Sequence, residues 1–287
     1  SAGLLKLAIL GRLLSPGDFG LLGIALLVQN WVNSFTQTGT SAALIQKRED
    51  IRPYLNAAWT LQLLRGFAVA GLVYAAAPAG ARFFATPEAI PIIRATGLLT
   101  LMWEFVNPGV VYLRRDLDFR KDLIWRQFGV LPGLLVGIGL AFLYRNVWAL
   151  MASLLVARAA ELAASYWIHP YRPRLALDWQ RSRELMRFGK WVSWLNIAAF
   201  VERQLDSLLT GKILGAVTLG YYQVSQQVAS SLTTSIGAYA NGVLFPAFTK
   251  FETAGQLRRA FLSILNLLLL VVLPIGSSLT LFAEPLV

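Results

Sequence analysis

Long apolar runs, separated by short groups of turn-forming or charged residues, make up most of this sequence. A membrane-spanning helix needs about 20 mostly apolar residues, whereas membrane strands show alternating segments of about ten. Nine helical runs lie at about 1–14, 19–45, 55–78, 91–113, 122–144, 147–168, 188–213, 219–246 and 258–282. The pattern therefore predicts an all-α membrane protein, a polytopic helical bundle with about nine transmembrane helices.

Lysine and arginine are distributed unevenly between alternate connections of this bundle. The connections after the even-numbered predicted helices hold 16 of them, and those after the odd-numbered helices hold five. Because cytoplasmic loops carry the excess of cations, we expect the even-numbered connections and the N-terminus to be cytoplasmic. The longest connection, residues 170–187, contains Asp178 as an N-cap. It favours a short helix on the cytoplasmic membrane surface, with a solvated basic loop as the alternative.

Composition narrows the classes of function. The chain of 287 residues is 56% hydrophobic and 14% charged, against about 25% charged in soluble domains, which excludes a soluble enzyme and a disordered chain. The net charge of +11 does not indicate a nucleic-acid partner, because the cations occur in short clusters rather than on one face. The sequence has no cysteine, no P-loop and a single histidine, His169. We therefore expect no enzyme site, no metal and no cofactor.

An internal repeat relates the two ends of the chain at an offset of 200 residues. Residues 10–20 resemble residues 210–220 in two glycines and in the cation after the first of them, although only 6 of the first 46 positions are identical. Six predicted helices separate the copies, so both have the same orientation and the repeat is parallel, about an axis along the membrane normal. We expect a six-helix bundle at 1–187, including a cytoplasmic interfacial segment at 170–187, and the first three helices of a truncated second bundle at 188–287.

Ionisable residues at membrane depth mark candidate sites, because each costs about 2.5–3.5 kcal/mol at a helix centre and must face protein or water. They are Lys6, Arg65, Glu104, Arg126, Arg158, Glu161, Glu202, Arg203 and Asp206. Glu202, Arg203 and Asp206 share the middle of the seventh predicted helix and form the best single candidate. Arg158 and Glu161 are three residues apart, so they either join a site or simply neutralise each other.

Two amide-rich stripes lie on helices that the repeat makes equivalent. The second predicted helix carries Asn30, Asn33, Gln37 and Ser41, and the eighth carries Gln223, Gln227, Ser230, Thr234 and Asn241. We expect both stripes to line one hydrated cavity between the halves. The alternative is that the amides only join helices, through hydrogen bonds worth about 0.6 kcal/mol each.

Proline residues predict bends inside three of the helices. Asn107-Pro108-Gly109, Pro132-Gly133 and Pro274 each interrupt the backbone hydrogen bonding of a predicted span. Bending at these positions during transport is a hypothesis.

Several stretches resemble a known family. Six segments look like parts of bacterial lipid-linked oligosaccharide flippases: LGRLLSPGDFGLLGIA, GTSAALIQKREDI, LNAAWTLQLLRG, RQLDSLLTGKILGAVTLGYYQVSQQVA, LFPAF and LFAEPLV. These are the Wzx-like polysaccharide exporters of the multidrug/oligosaccharidyl-lipid/polysaccharide superfamily. The resemblance implies two six-helix bundles around a central cavity, sometimes with two added helices. It also implies a cargo, undecaprenyl-diphosphate-linked oligosaccharide, which moves from the cytoplasmic to the outer leaflet of the bacterial inner membrane.

The resemblance implies roles for individual residues. Arg65, Arg158 and Arg203 would hold the anionic diphosphate, since guanidinium groups suit phosphate geometry. Asp206 and nearby Glu202 would bind a coupling proton or sodium ion. Further expected substrate contacts are Lys6, Asn33, Gln37, Gln227 and Asn241, and further expected ion-coupling residues are Glu104 and Glu161.

The sequence predicts a transporter that works by alternating access between its halves. One alternative is a multidrug exporter of the same superfamily, whose organic cations would favour an acidic cavity, although bases exceed acids by 5 to 4 at membrane depth. Another is a membrane polysaccharide polymerase or glycosyltransferase, which would need a larger extramembrane loop with acidic or histidine catalysts. A non-catalytic scaffold would not account for the buried charges.

Overall fold

The computed structural model describes most of the chain up to residue 248. Described are residues 9–36, 40, 43–44, 50–116, 118–176 and 178–248, with single positions between 262 and 277. Side chains within the last long helix are described except at 187–196, 199, 203 and 230–248. All regular structure within these residues is helical, so the predicted helical class is confirmed for this part of the chain.

The described helices follow one another with short connections. They are α1 (Pro16–Thr36), α2 (Arg52–Phe83), α3 (Ala89–Glu104), a 3-10 turn (Pro108–Val110), α4 (Val111–Arg115), α5 (Phe119–Phe128), α6 (Val130–Tyr144), α7 (Val147–Ile168) and α8 (Trp179–Phe248). α8 contains one non-helical residue, Gly215, at φ 87° and ψ 176°. This break falls within the connection that the sequence predicts at 215–218, because glycine adopts a positive φ without steric cost.

Four helical segments in the described part of the chain are long and apolar enough to cross a membrane. They are Pro16–Thr36, Arg52–Phe83, Phe119–Tyr144 and Val147–Ile168. A fifth is formed if α3 and Pro108–Arg115 count as one span that bends by 66°. This bend confirms the interruption predicted at Asn107-Pro108-Gly109. The predicted spans at 1–14 and 258–282 lie largely outside the described residues.

Local sequence signals begin several of these helices. Asn146 Oδ1 accepts a hydrogen bond from Trp148 N at 3.1 Å before α7, and Asp118 Oδ1 accepts from Lys121 N at 3.1 Å before α5. Asp178 Oδ1 accepts from Arg181 N at 3.0 Å, as expected of an N-cap. The N-cap predicted at Asp178 is therefore confirmed, but the helix that starts there is long rather than short, because its backbone continues without a break to Gly215.

Two apolar clusters hold opposite ends of the helices together. One cluster brings Ile51 and Leu55 against Val111 and Leu185, next to the connections that are rich in lysine and arginine. The other cluster includes Leu14, Ala141 and Ala149, next to connections that are poor in these residues. The alternating charge pattern of the sequence thus corresponds to two physical ends of the bundle.

An extended segment, residues 171–176, lies along the start of α2 and is called the strap below. Asn56 Oδ1 accepts hydrogen bonds from Tyr171 Oη at 2.8 Å and from Arg174 N at 2.9 Å. Thr60 Oγ1 accepts from Ala176 N at 3.0 Å. Three polar groups of the strap are therefore satisfied by side chains of α2 before α8 begins.

The chain divides into two compact units, Ser1–Gly220 and Tyr221–Val287. The candidate site described below lies entirely in the first unit. The division at 187/188 that the repeat predicts stays a prediction.

Candidate functional site

A largely buried arginine lies in the middle of α2. Arg65 is about 15 Å along the helix axis from the start of the predicted span, which is half of a hydrocarbon core of about 30 Å. Its guanidinium forms an ion pair with Glu104. It also donates to the Thr36 carbonyl at 2.8 Å and to Asn33 Oδ1 at 3.1 Å. Its Nη2 also donates to the Asn33 carbonyl at 3.4 Å. Because a guanidinium cannot lose its proton, one carboxylate and three neutral acceptors compensate its charge.

Glu104 is the last residue of α3 and packs against α2. Its side chain is 5% exposed, and it fills the space beside Gly66, where an added Cβ would lie 2.8 Å from Glu104 Cγ. A larger residue at position 66 would push the carboxylate away from Arg65. The ion pair therefore depends on the close approach of α2 and α3.

Polar side chains from α1 and α3 extend the ion pair into a network. Asn33 donates from Nδ2 to Thr100 Oγ1 at 3.3 Å, while its Oδ1 faces Arg65. Gln29 donates to the same threonine hydroxyl at 2.8 Å, and both Gln29 and Thr100 are buried. The network joins α1, α2 and α3 around a single pair of charges.

The helix breaks directly after Glu104, and Asn107 holds the break in place. The Asn107 side chain is fully buried and donates to the carbonyls of Tyr171 at 2.7 Å and His169 at 3.3 Å. Its Oδ1 accepts from Gly109 N at 2.9 Å. Discontinuous helices of this kind form the substrate and ion sites of many transporters. Asn107 thus positions the end of α3 that carries Glu104.

A small cavity borders the break. Its volume is about 90 Å³, and its polar lining includes Gln62, Glu104, Asn107 and Arg114. A water molecule needs about 10–15 Å³ of volume measured in this way, so the cavity has room for several waters or a small ion. Among the described residues, no group of three or more acidic or histidine side chains is placed to hold a metal.

A second ion pair lies on α7. Arg158 Nη1 and Glu161 Oε2 are 2.6 Å apart, and the Arg158 side chain is 42% exposed. Its guanidinium lies 4.8 Å from the ring centroid of Trp103. Trp125 donates from Nε1 to the Glu161 carbonyl at 3.0 Å. Arg158 and Glu161 therefore neutralise each other, which is one of the two alternatives that the sequence leaves open. Arg158 is a half-exposed cation with a carboxylate partner.

The structure brings together only some of the predicted site residues. Arg65, Glu104 and Asn33 meet in one network, and Arg158 pairs with Glu161. The side chains of Glu202, Asp206 and Gln227 are exposed on α8. Four others lie outside the described residues or have undescribed side chains: Lys6, Gln37, Arg203 and Asn241. Roles for all of these residues stay predictions.

Sequence reasoning missed two members of the network, Gln29 and Thr100. The amide stripe predicted from the sequence includes Asn30, which is exposed, whereas its neighbour Gln29 is buried. The spacing of Gln29 and Asn33, four residues apart on one helix face, was the available signal. Thr100 carries no such signal, because threonine is common on buried helix faces.

Comparison with known proteins places the chain among polysaccharide biosynthesis proteins. Residues 9–287 match the family described as "Polysaccharide biosynthesis protein". The chain is 30% identical over 241 residues to the succinoglycan biosynthesis transport protein ExoT of Rhizobium meliloti, covering 84% of this chain and 49% of that protein. It is 23% identical to the lipopolysaccharide biosynthesis protein WzxC of Escherichia coli, covering 87% of this chain and 51% of that protein.

A third relative is named for teichuronic acid biosynthesis. The chain is 22% identical to the teichuronic acid biosynthesis protein TuaB of Bacillus subtilis, covering 83% of this chain and 50% of that protein. The chain thus spans about half the length of the curated relatives that it matches. No solved structure gives a significant match to it.

Proposed function

This chain belongs to the polysaccharide biosynthesis protein family, and we propose that the full-length protein flips undecaprenyl-diphosphate-linked oligosaccharides from the cytoplasmic to the outer leaflet of the bacterial inner membrane. The observation that carries the proposal is the Arg65–Glu104 pair, enclosed among apolar helices. Charged side chains at this depth lower the stability of a membrane protein, and their presence therefore usually marks a functional site. Export of a surface polysaccharide supplies such a function.

The names of the relatives support a protein that recognises the lipid carrier of its cargo rather than the sugar. ExoT, WzxC and TuaB are named for succinoglycan, lipopolysaccharide and teichuronic acid, which are chemically different polymers. An anionic diphosphate on a polyprenyl chain is a headgroup that different sugars can share. Arg65 suits such a headgroup, because its planar guanidinium binds two phosphate oxygens at once.

Competition between the cargo and Glu104 is the proposed chemical step at this site. Without cargo, Arg65 is neutralised by Glu104. A diphosphate that binds Arg65 displaces the carboxylate and leaves it without a counterion in a site of low dielectric. Glu104 would then bind a proton or a sodium ion, which the adjoining cavity is large enough to admit. Cargo binding and ion binding would in this way be coupled.

The wider architecture belongs to the same proposal. We envisage nine transmembrane helices in this chain, arranged as a complete six-helix bundle and half of a second one, with a cytoplasmic N-terminus. The two bundles would rock about a central cavity and expose it to each leaflet in turn. Arg203 with Asp206 and Glu202 would supply the second half of the cavity, and Arg158 with Glu161 would lie beside the first.

Surface polysaccharide in a host that lacks its own flippase tests the proposal. The full-length protein should restore the polysaccharide, and Arg65→Gln should abolish it. Arg94→Gln is the matched control, because Arg94 is exposed on α3 and its guanidinium lies over the Tyr74 ring at 4.3 Å, away from the site. Wild-type levels of polysaccharide with Arg65→Gln would refute the assignment of Arg65, and no restoration by the unaltered protein would refute the function.

A further inference from the structure

The two glycine segments that the sequence repeat aligns are in contact in the structure. Gly20 lies near the start of α1, and Gly220 lies five residues after the break in α8. A Cβ added to Gly20 would overlap the Ala216 carbonyl oxygen, and a Cβ added to Gly220 would overlap the Pro16 carbonyl oxygen. Only glycine allows two backbones to approach this closely.

These contacts are reciprocal at the offset of 200 residues. Contacts across a two-fold axis come in pairs. If residue i of one copy touches residue j of the other copy, then residue j of the first copy touches residue i of the second. Gly20 meets Ala216, the equivalent of Pro16, and Gly220 meets Pro16 itself. The sequence identity between the copies does not impose this geometry, so it is an independent observation of symmetry.

Residues on the axis should touch their own equivalents, and two pairs do. A Cβ on Gly17 would lie 3.8 Å from Val217 Cγ2, and a Cβ on Gly220 would lie 3.0 Å from the backbone nitrogen of Gly20. Positions 17 and 217, like 20 and 220, differ by 200. All four contacts are therefore consistent with one local two-fold axis that passes between residues 16–20 and 216–220.

The contact lies far from the Arg65 network along the same helix. Thr36, whose carbonyl accepts from Arg65, is about 24 Å from Gly20 along α1 at 1.5 Å per residue. The contact also adjoins the end of the bundle that is poor in lysine and arginine, which the charge pattern assigns to the outer side of the membrane.

We propose that residues 16–20 and 216–220 form a pseudo-symmetric gate, which is closed in this structure and must part for cargo to leave toward the outer leaflet. The proposal rests on the proposed flippase function and adds to it the position of the outer closure. Backbone contacts between glycines suit a gate, because they seal tightly without side chains that must repack when the segments separate.

Cysteine cross-linking in the full-length protein tests the gate. These 287 residues contain no cysteine, so Gly17→Cys with Val217→Cys introduces one defined pair into them, where a Cβ on residue 17 would lie 3.8 Å from Val217 Cγ2. The pair should cross-link on oxidation. Gly139→Cys with Val217→Cys is the control, because a Cβ on Gly139 meets nothing within 4 Å, and it should not cross-link. No cross-link from the first pair would overturn the contact.

Transport by the same variant separates the gate from the proposed function. The reduced double-cysteine protein should flip cargo, the oxidised protein should not, and a reductant should restore flipping. If the oxidised protein flips cargo as fast as the reduced one, the gate is wrong and the flippase function stands. If neither the reduced variant nor the unaltered protein flips cargo, the proposed function fails while the cross-link still reports the contact.

Alanine substitutions test the symmetry of the gate. Gly20→Ala and Gly220→Ala should each lower the yield of the 17–217 cross-link to a similar extent, because each methyl group would overlap an equivalent carbonyl oxygen. Gly71→Ala is the matched control, since a Cβ on this glycine of α2 would meet nothing within 4 Å, and it should leave the yield unchanged. A large effect from one glycine and none from the other would contradict a two-fold arrangement.

Discussion

The Arg65–Glu104 pair predicts a specific pattern of stability in a double-mutant cycle. Glu104→Gln leaves a guanidinium that cannot lose its proton, in a site where the Arg65 side chain is only 14% exposed. Removing one partner of a buried ion pair lowers the free energy of unfolding by about 3–5 kcal/mol. Because Arg65 still donates to Asn33 Oδ1 and to the Thr36 carbonyl, we expect a loss toward the lower end of that range. Arg65→Gln should cost less, because an isolated carboxyl group can take up a proton.

The double variant Arg65→Gln with Glu104→Gln removes both charges together. It should be more stable than the sum of the single variants predicts, with a coupling free energy of roughly 2–3 kcal/mol, at the upper end for residues in direct contact. Unfolding of the purified full-length protein in detergent, by heat or by denaturant, measures the three differences against the unaltered protein. Strictly additive losses would show that the two side chains are not coupled and would refute the network as described.

Three further predictions concern the strap, the helix break and the pH dependence of stability. Asn56→Ala should lower the free energy of unfolding by about 1–3 kcal/mol, because two strap donors lose their acceptor; Asn56→Asp keeps the acceptor and should cost less in the same unfolding assay. Gly109→Ala should lower the melting temperature, because the methyl group would overlap the His169 ring, and an unchanged melting temperature would contradict this packing. Burial and the nearby cations Arg172 and Lys121 lower the pKa of His169 below its ordinary 6.5, although Asp116 acts in the opposite direction. Because the unfolded chain then binds the proton more readily than the folded chain, the free energy of unfolding should fall as the pH drops below about 6.5. A His169→Leu variant measured over the same pH range should lose this part of the pH dependence.

The sequence predicts the helices well where the physical cause is local. The apolar runs at 55–78 and 147–168 correspond to α2 and α7, and Asn107-Pro108-Gly109 correctly marks the bend after α3. These features follow from the length of an apolar run, from proline's missing N–H or from a capping side chain. The run at 122–144 is divided at Gly129 instead of at Pro132-Gly133, because proline is tolerated in the first turn of α6.

The candidate site could be predicted only in part, because its partners are distant in the sequence. Arg65 and Glu104 are both recognisable as charges at membrane depth, but the sequence assigns one to the cargo and the other to an ion. Their pairing depends on the packing of α2 against α3 beside Gly66, which no local pattern encodes. The contact between Gly20 and Gly220 is similar: the repeat aligns the two residues, and only the folded chain shows that they touch.

Flipping in reconstituted vesicles is the decisive test of a cargo site at Arg65. Full-length protein is placed in liposomes that carry an undecaprenyl-diphosphate-linked oligosaccharide in both leaflets, and a sugar oxidant that cannot cross the membrane is added outside. We expect the unaltered protein to expose the inner pool to the oxidant. The folded double variant Arg65→Gln with Glu104→Gln should leave that pool protected, as in vesicles without protein. Equal exposure of the inner pool by the double variant and the unaltered protein would contradict a cargo site at Arg65.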